Sequence, residues 1–318
     1  MDDTVKGTKL LKTKHLLGIK GMCREDLELI LQTSESFKQV LDTPNKKVAA
    51  LKGVTVVNMF FENSTRTKIS FEMAEKRLSA DVVNFAASSS SLKKGETLID
   101  TAKNIEAMKI DMVVMRHSTP GAHKMLMDNL NSIIINAGDG AHEHPTQAIL
   151  DLMSIVQKKP NLKGKRVTLV GDIVHSRVAM SNIHALKLYG AKVQVCGPST
   201  LIPKDIEKMG VEVTYDLDEA IRNSDVMNIL RIQLERHVGA SFPSLREYHN
   251  YWGITNEKLA RAKNDILILH PGPMNRGVEI DDDVADGDHQ VILDQVLNGV
   301  ASRMAILYLL SANIGGAK

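Results

Sequence analysis

The chain has 318 residues, with 40 Lys and Arg against 38 Asp and Glu for a formal net charge of +2. That balance gives no general field for nucleic acid or a membrane surface, and the length suffices for two medium α/β domains with separate cores. Two cysteines, Cys23 and Cys196, exclude a disulfide framework and a cysteine zinc cluster and point to a reducing, cytoplasmic compartment, while the polar Met1-Asp2-Asp3 start and the short apolar runs give no signal peptide or membrane span.

Residues 1–16 read as an arm ahead of the fold. A helix is expected from Arg24 to Leu41, ended by Asp42-Thr43-Pro44-Asn45. Strand patterns at 54–60, 81–85, 110–115 and 131–135 then alternate with helical ones, which implies a parallel sheet. A helix over 145–157 runs into the polar break Lys158-Lys159-Pro160-Asn161. A second series of strands follows at 166–170, 192–196, 211–215, 225–230 and 265–269. The segment 231–252 shows no clear periodicity and reads as a long loop that shifts on domain closure. The last stretch, 291–312, is apolar at helical spacing and long enough to pack back on the first domain. The expected fold is α/β, with two doubly wound parallel-sheet domains and the active site in the cleft between them. The first domain spans 1–155, completed by 291–318, and the second spans 156–290.

Ligands of open α/β sheets sit beyond the carboxyl ends of the strands, so the strand tails should carry the chemistry. The first tail is Phe60-Phe61-Glu62-Asn63-Ser64-Thr65-Arg66-Thr67. Helix starts favour acidic residues because their first N–H groups are unsatisfied, yet here hydroxyls and cations stand instead. Ser64, Thr65, Arg66 and Thr67 either cap a helix with solvated charges or form a phosphate or carboxylate site. Four such residues in a row favour the anion.

Later tails carry Arg116, then His144-Pro145-Thr146-Gln147, with Pro145 at a helix position that tolerates a missing N–H. An imidazole and a guanidinium suit an oxyanion growing on a carbonyl, although a lone histidine is often structural. His142-Glu143-His144 has no companion ligand cluster, so no metal is assigned. Ser88-Ser89-Ser90-Ser91-Leu92-Lys93-Lys94-Gly95-Glu96 reads locally as a flexible, solvated loop. In the second half, Arg177 and Arg231, with Gln233 nearby, suit two carboxylates. Arg231 is the stronger candidate because it ends an apolar strand; Arg177 is equally readable as an exposed helix arginine. His270-Pro271-Gly272-Pro273 is a tight turn able to present backbone carbonyls rigidly.

These motifs, in this order, resemble the aspartate and ornithine carbamoyltransferases over most of the chain, from Glu62 to about Arg303. The resemblance implies transfer of a carbamoyl group from carbamoyl phosphate to the α-amine of L-aspartate, an early step towards pyrimidines. It further implies that Ser64, Thr65, Arg66 and Thr67 hold the phosphate, while Arg116, His144 and Thr67 polarise the carbonyl. Gln147 would hold the carbamoyl amide, with backbone carbonyls of Gly272 and Pro273 assisting, and Arg177, Arg231 and Gln233 would hold the aspartate carboxylates. Lys94, with Ser90 or Ser91, would reach a neighbouring subunit's site, which implies a homotrimer and allows for a regulatory subunit. No cofactor or metal is implied. Ornithine as acceptor is disfavoured by the two arginines and by Pro271, which stands where ornithine enzymes carry cysteine. A nucleotide-dependent oxidoreductase is disfavoured because Gly171-Asp172-Ile173-Val174-His175-Ser176 lacks the Gly-x-Gly-x-x-Gly spacing. A binding module without turnover is the third alternative.

Overall fold

The computed structural model describes residues 10–86, 95–233 and 242–314. The chain divides into two compact units, Met1–Thr146 with Leu297–Lys318, and Gln147–Val296.

The first unit contains α1 (Arg24–Leu41), β1 (Thr55–Phe60), α2 (Thr65–Arg77), β2 (Asp81–Ala86), α3 (Leu98–Glu106), β3 (Met112–His117), α4 (Ala122–Asn129), β4 (Ile133–Asp139) and the start of α5 (Pro145–Lys158). All strand pairs are parallel, in the order β2-β1-β3-β4. The order reverses between β1 and β3, where Phe60 pairs with Arg116 at the carboxyl ends. Val57, Met59, Val113, Met115 and Ile134 pack with Leu126 in the core, each such burial contributing about 1.5–3 kcal/mol. Strands β3 and β4 run beyond the expected apolar runs, to a His117–Asp139 pair. Polar residues continue β4 because their side chains find partners: Asn136 Nδ2 donates to Leu17 O, and Gly138 N–H donates to Asn136 Oδ1.

The expectation of an arm ahead of the fold is corrected for its described part. Leu16 forms a parallel bridge with Ile135, donating to Ile134 O at 3.0 Å and accepting from Asn136 N–H at 2.8 Å. Leu11, Leu16 and Ile19 are buried. The segment thereby covers the β4 edge, whose backbone groups would otherwise stand unpaired.

The second unit continues α5 and adds β5 (Arg166–Val170), α6 (Arg177–Leu188), β6 (Lys192–Cys196), β7 (Glu212–Thr214), α7 (Leu217–Asn223), β8 (Val226–Ile229), α8 (Leu245–Trp252), α9 (Asn256–Leu259), β9 (Leu267–Leu269), α10 (Asp282–Ala285) and the start of α11 (Ile292–Ser311). Its parallel sheet has the order β7-β6-β5-β8-β9, with the reversal between β5 and β8. From Leu297 onward α11 belongs to the first unit. There Tyr308 meets Phe37 of α1 edge-on, with centroids 5.7 Å apart.

The unstructured reading of 231–252 is also corrected. Its end is α8, whose N-cap Ser244 accepts from Glu247 N–H at 3.1 Å. The Ser-x-x-Glu spacing is a helix-start signal the apolar pattern does not carry. Tyr248 is buried against Leu201 and Ile232, which takes it out of any loop. Residues 234–241 lie outside the described part. Among the described residues no helix is long and apolar enough to cross a membrane.

Candidate active site

In the first unit the reversal point gathers the tails of β1 and β3. Ser64 precedes α2 in an extended conformation and makes no side-chain cap, and the first turn holds no acidic residue. Thr65 and Arg66 are exposed and Thr67 is buried. The start of α2 thus keeps its positive end without a local carboxylate, which favours a bound anion.

Two buried contacts fix this helix. Asn58 Nδ2 on β1 donates to Glu75 Oε2 on α2 at 2.8 Å, both side chains being fully buried. Burial pushes the Glu75 carboxyl up to about 8, so it is largely neutral at pH 7. Arg303 of α11 donates to Ser70 Oγ of α2 at 3.0 Å and to Thr146 Oγ1 of α5 at 3.3 Å, with its guanidinium 5.1 Å from the centre of the Phe71 ring. One arginine therefore ties together the starts of both helices that carry the motifs.

Across the reversal point, Arg116 is aimed by two neighbours: its Nε lies 3.2 Å from Glu62 Oε2, and its Nη1 donates to Ala137 O at 3.2 Å. The three residues His142, Glu143 and His144 go to separate places. His142 Nδ1 lies 3.0 Å from Asp139 Oδ2, while Glu143 accepts from Ile19 N–H at 2.6 Å and Lys20 N–H at 3.2 Å. Glu143 approaches Gly18 so closely that a Cβ there would meet its Oε1. Burial opposes ionisation of Asp139, but His123, His142 and the Gly121 amide hold it below its ordinary range. His144 remains, buried at the entry to α5. Among the described residues no cluster of His, Cys, Asp or Glu can hold a metal ion.

In the second unit the tails of β5 and β8 are neighbours, with Leu230 N–H donating to Val170 O at 2.8 Å. Arg177 opens α6 and is buried, 4 % exposed, which removes the reading of it as an exposed helix arginine. The loop before it is held by Asp172, which accepts from His175 N–H, and by Ser176, which caps α6 through Ala179 N–H. Gln233 Nε2 donates to His175 O at 2.9 Å, so it braces that loop, and Arg231 is half-buried.

The turn after β9 is locked from beneath. Gly272 N–H donates to His270 Nδ1 at 2.8 Å, which leaves Nε2–H to donate to Glu279 Oε1 at 3.1 Å. The same Glu279 oxygen accepts from Asn275 N–H at 2.6 Å. Gly272 has φ +62°, a conformation that favours glycine. Gln147, nearly buried, donates through Nε2 to Asp151 Oδ1 at 2.8 Å.

Ser90, Ser91 and Lys94 lie outside the described residues. Sequence reasoning missed Glu75, Arg303, Asp151 and Glu279. Asp151 and Arg303 are charged residue types within apolar stretches, where burial is costly without partners, and that is the signal that would have found them; Glu75 and Glu279 stand among other charged residues, and no local pattern marks them. A hollow of about 670 Å³ lined by Lys14, Glu106, Asp111 and Asn131 lies at the amino ends of β3 and β4, away from these groups.

Residues 14–157 match the family described as "Aspartate/ornithine carbamoyltransferase, carbamoyl-P binding domain", and 163–310 match its "Asp/Orn binding domain". The aspartate carbamoyltransferase catalytic subunit of Cytophaga hutchinsonii is 58% identical over 303 residues, covering 95% of this chain and 99% of its own. That of Christiangramia forsetii is 59% identical over 304 residues, covering 96% and 98%. Among solved structures, aspartate transcarbamoylase from Trypanosoma cruzi in complex with carbamoyl phosphate and aspartate superimposes with a TM-score of 0.84 at 30% identity, covering 94% of this chain and 97% of that one. Both halves, the parallel sheets and the ordered strand-tail motifs agree, and the chain belongs to the aspartate/ornithine carbamoyltransferase family.

Proposed function

We infer that this chain transfers the carbamoyl group of carbamoyl phosphate to the α-amine of L-aspartate, giving N-carbamoyl-L-aspartate and phosphate in pyrimidine biosynthesis. The observation that carries the choice of acceptor is the pair of arginines after β5 and β8, Arg177 and Arg231, on adjacent tails of one sheet. Two guanidiniums suit the two carboxylates of aspartate and repel the side-chain ammonium of ornithine. Pro271, standing where ornithine enzymes carry cysteine, supports the same choice.

In this reading Ser64, Thr65, Arg66 and Thr67 receive the phosphate at the positive end of α2. Arg116, held by Glu62, acts with His144 and Thr67 on the carbamoyl oxygen. As the neutral amine attacks the carbonyl carbon, that oxygen becomes an oxyanion, and fixed donors aimed at it lower the barrier without reorganising. The bond from carbon to the phosphate oxygen then breaks. The departing phosphate is a competent proton acceptor, so no dedicated protein base is assigned. Gln147 and the carbonyls of Gly272 and Pro273 hold the carbamoyl amide, and Arg177, Arg231 and Gln233 hold the acceptor. Positioning supplies much of the acceleration, since effective molarities reach ~10⁵–10⁸ M for well-oriented groups.

The carbamoyl-phosphate domain comprises 1–155 with 291–318, and the aspartate domain 156–290. The chain works in the cytoplasm as a homotrimer in which Lys94, with Ser90 or Ser91, enters the neighbouring site. The words "catalytic subunit" in the names of its relatives favour a regulatory partner. The test is phosphate release from carbamoyl phosphate by the purified chain with aspartate or ornithine in parallel. Release with aspartate alone is expected; release with ornithine alone would keep the phosphate site and overturn the acceptor assignment.

A further inference from the structure

Asp151 lies one helical turn after Gln147 on α5 and is fully buried. Four amide groups converge on its carboxyl. Gln147 Nε2 and Gln295 Nε2 donate to Oδ1 at 2.8 and 2.7 Å, and Asn182 Nδ2 and Asn228 Nδ2 donate to Oδ2 at 2.8 and 3.2 Å. The donors come from α5, α11, α6 and β8. No lysine or arginine is among them. Burial pushes the carboxyl above its ordinary range, and the four amides oppose that shift.

A carboxamide has two chemically opposite ends of nearly equal shape, so its partners decide which end faces where. Here the decision starts from a group that cannot flip. The backbone N–H of His270 donates to Gln295 Oε1 at 3.0 Å. The Gln295 nitrogen must therefore face Asp151, and Oδ1 must be an acceptor whichever protonation state the carboxyl holds. Gln147 shares that same oxygen, so it too must turn its nitrogen inward and its oxygen outward. We propose that Asp151 is a positioning residue which fixes the amide oxygen of Gln147 as the outward end, so that the site selects a carbamoyl NH₂ over the methyl group of an acyl phosphate of equal shape. A site built to accept from an N–H binds poorly any analogue lacking one, because its acceptor is then left unpaired. The inference rests on the reading of Gln147 as the residue that holds the carbamoyl amide.

Acetyl phosphate is the probe, since it replaces NH₂ by CH₃ and keeps the rest of the donor. The measured quantity is the ratio of its inhibition constant, against carbamoyl phosphate, to the KM for carbamoyl phosphate, with the full chain and saturating aspartate. Asp151→Ala should reduce this ratio roughly tenfold, the worth of one lost hydrogen bond, by raising KM and leaving acetyl phosphate nearly unchanged. Asp151→Asn should retain the ratio, because Gln295 still requires an acceptor at the Oδ1 position. Asn182→Ala removes a donor from the opposite oxygen and should lower the melting temperature with the ratio intact, separating orientation from general support. Should Asp151→Ala fail to fold, Asp151→Ser keeps a hydroxyl within the amide cage yet is too short to reach Gln147, and carries the same expected ratio. Gln147→Ala separates the two levels of the argument. If it shifts the ratio and the Asp151 variants do not, the positioning role is overturned while the reading of Gln147 stands. If Gln147→Ala leaves the ratio unchanged, the reading of Gln147 and the inference built on it both fall.

Discussion

Glu75 offers a test of how α2 is held to β1. Its carboxyl is fully buried, accepts from Asn58 Nδ2, and is pushed by burial from an ordinary 4.5 to about 8. Between those two values the folded chain keeps a proton that the unfolded chain has released. Stability must then fall as pH rises, by about 1.4 kcal/mol per pH unit. From pH 5.5 to 7.5 the loss from this one group is roughly 2–3 kcal/mol. Glu75→Gln has no proton to lose, and its new Nε2–H can donate to Asn58 Oδ1, an acceptor that has no partner among the described residues. Urea unfolding of parent and variant across this range, at one protein concentration, should show the parent losing stability relative to the variant. The pH-dependent part of the difference should be greatest above pH 7 and level off well below pH 4.5, where Glu75 is protonated in both states. Parallel pH profiles would refute the argument, because they would mean that Glu75 is ionised in the folded chain or that α2 opens to hydrate it.

Arg303→Met keeps the length of the side chain on α11 but removes its bonds to Ser70 and Thr146. With two hydroxyls left unpaired, a loss of about 1–3 kcal/mol is expected in thermal unfolding, together with a several-fold rise in KM for carbamoyl phosphate; an unchanged KM would separate Arg303 from the phosphate site. Mixing inactive Lys94→Ala chains with inactive His144→Ala chains should restore part of the activity, since some hybrid trimers then hold sites with both residues intact. No recovery on mixing would mean that each site is built within one chain.

Strand tails and their order were legible in the sequence because they depend on local signals. A β-branched run such as Val54-Thr55-Val56-Val57 ends at a junction where hydroxyls and cations replace the usual acidic helix start, and both features are visible in one dimension. The same holds for β5 and β6, whose observed limits match the apolar runs, and for α1, which ends where Asp42-Thr43-Pro44 interrupts its stripe. The candidate ligand-facing residues follow from those ends alone. What supports them was hidden, because it is formed by partners far apart in the chain. Asn58 and Glu75, Arg303 and Thr146, and Asp151 and Gln295 are polar groups whose burial is tolerable only when folding brings the pairs into hydrogen-bond reach. Leu16 on the β4 edge and Tyr248 beneath the β8 tail belong to the same class. Local chemistry named the candidate groups at the strand tails, whereas strand order and long-range pairing decided which tails became neighbours and which way each amide and guanidinium is turned, since orientation is set by a partner's position in space.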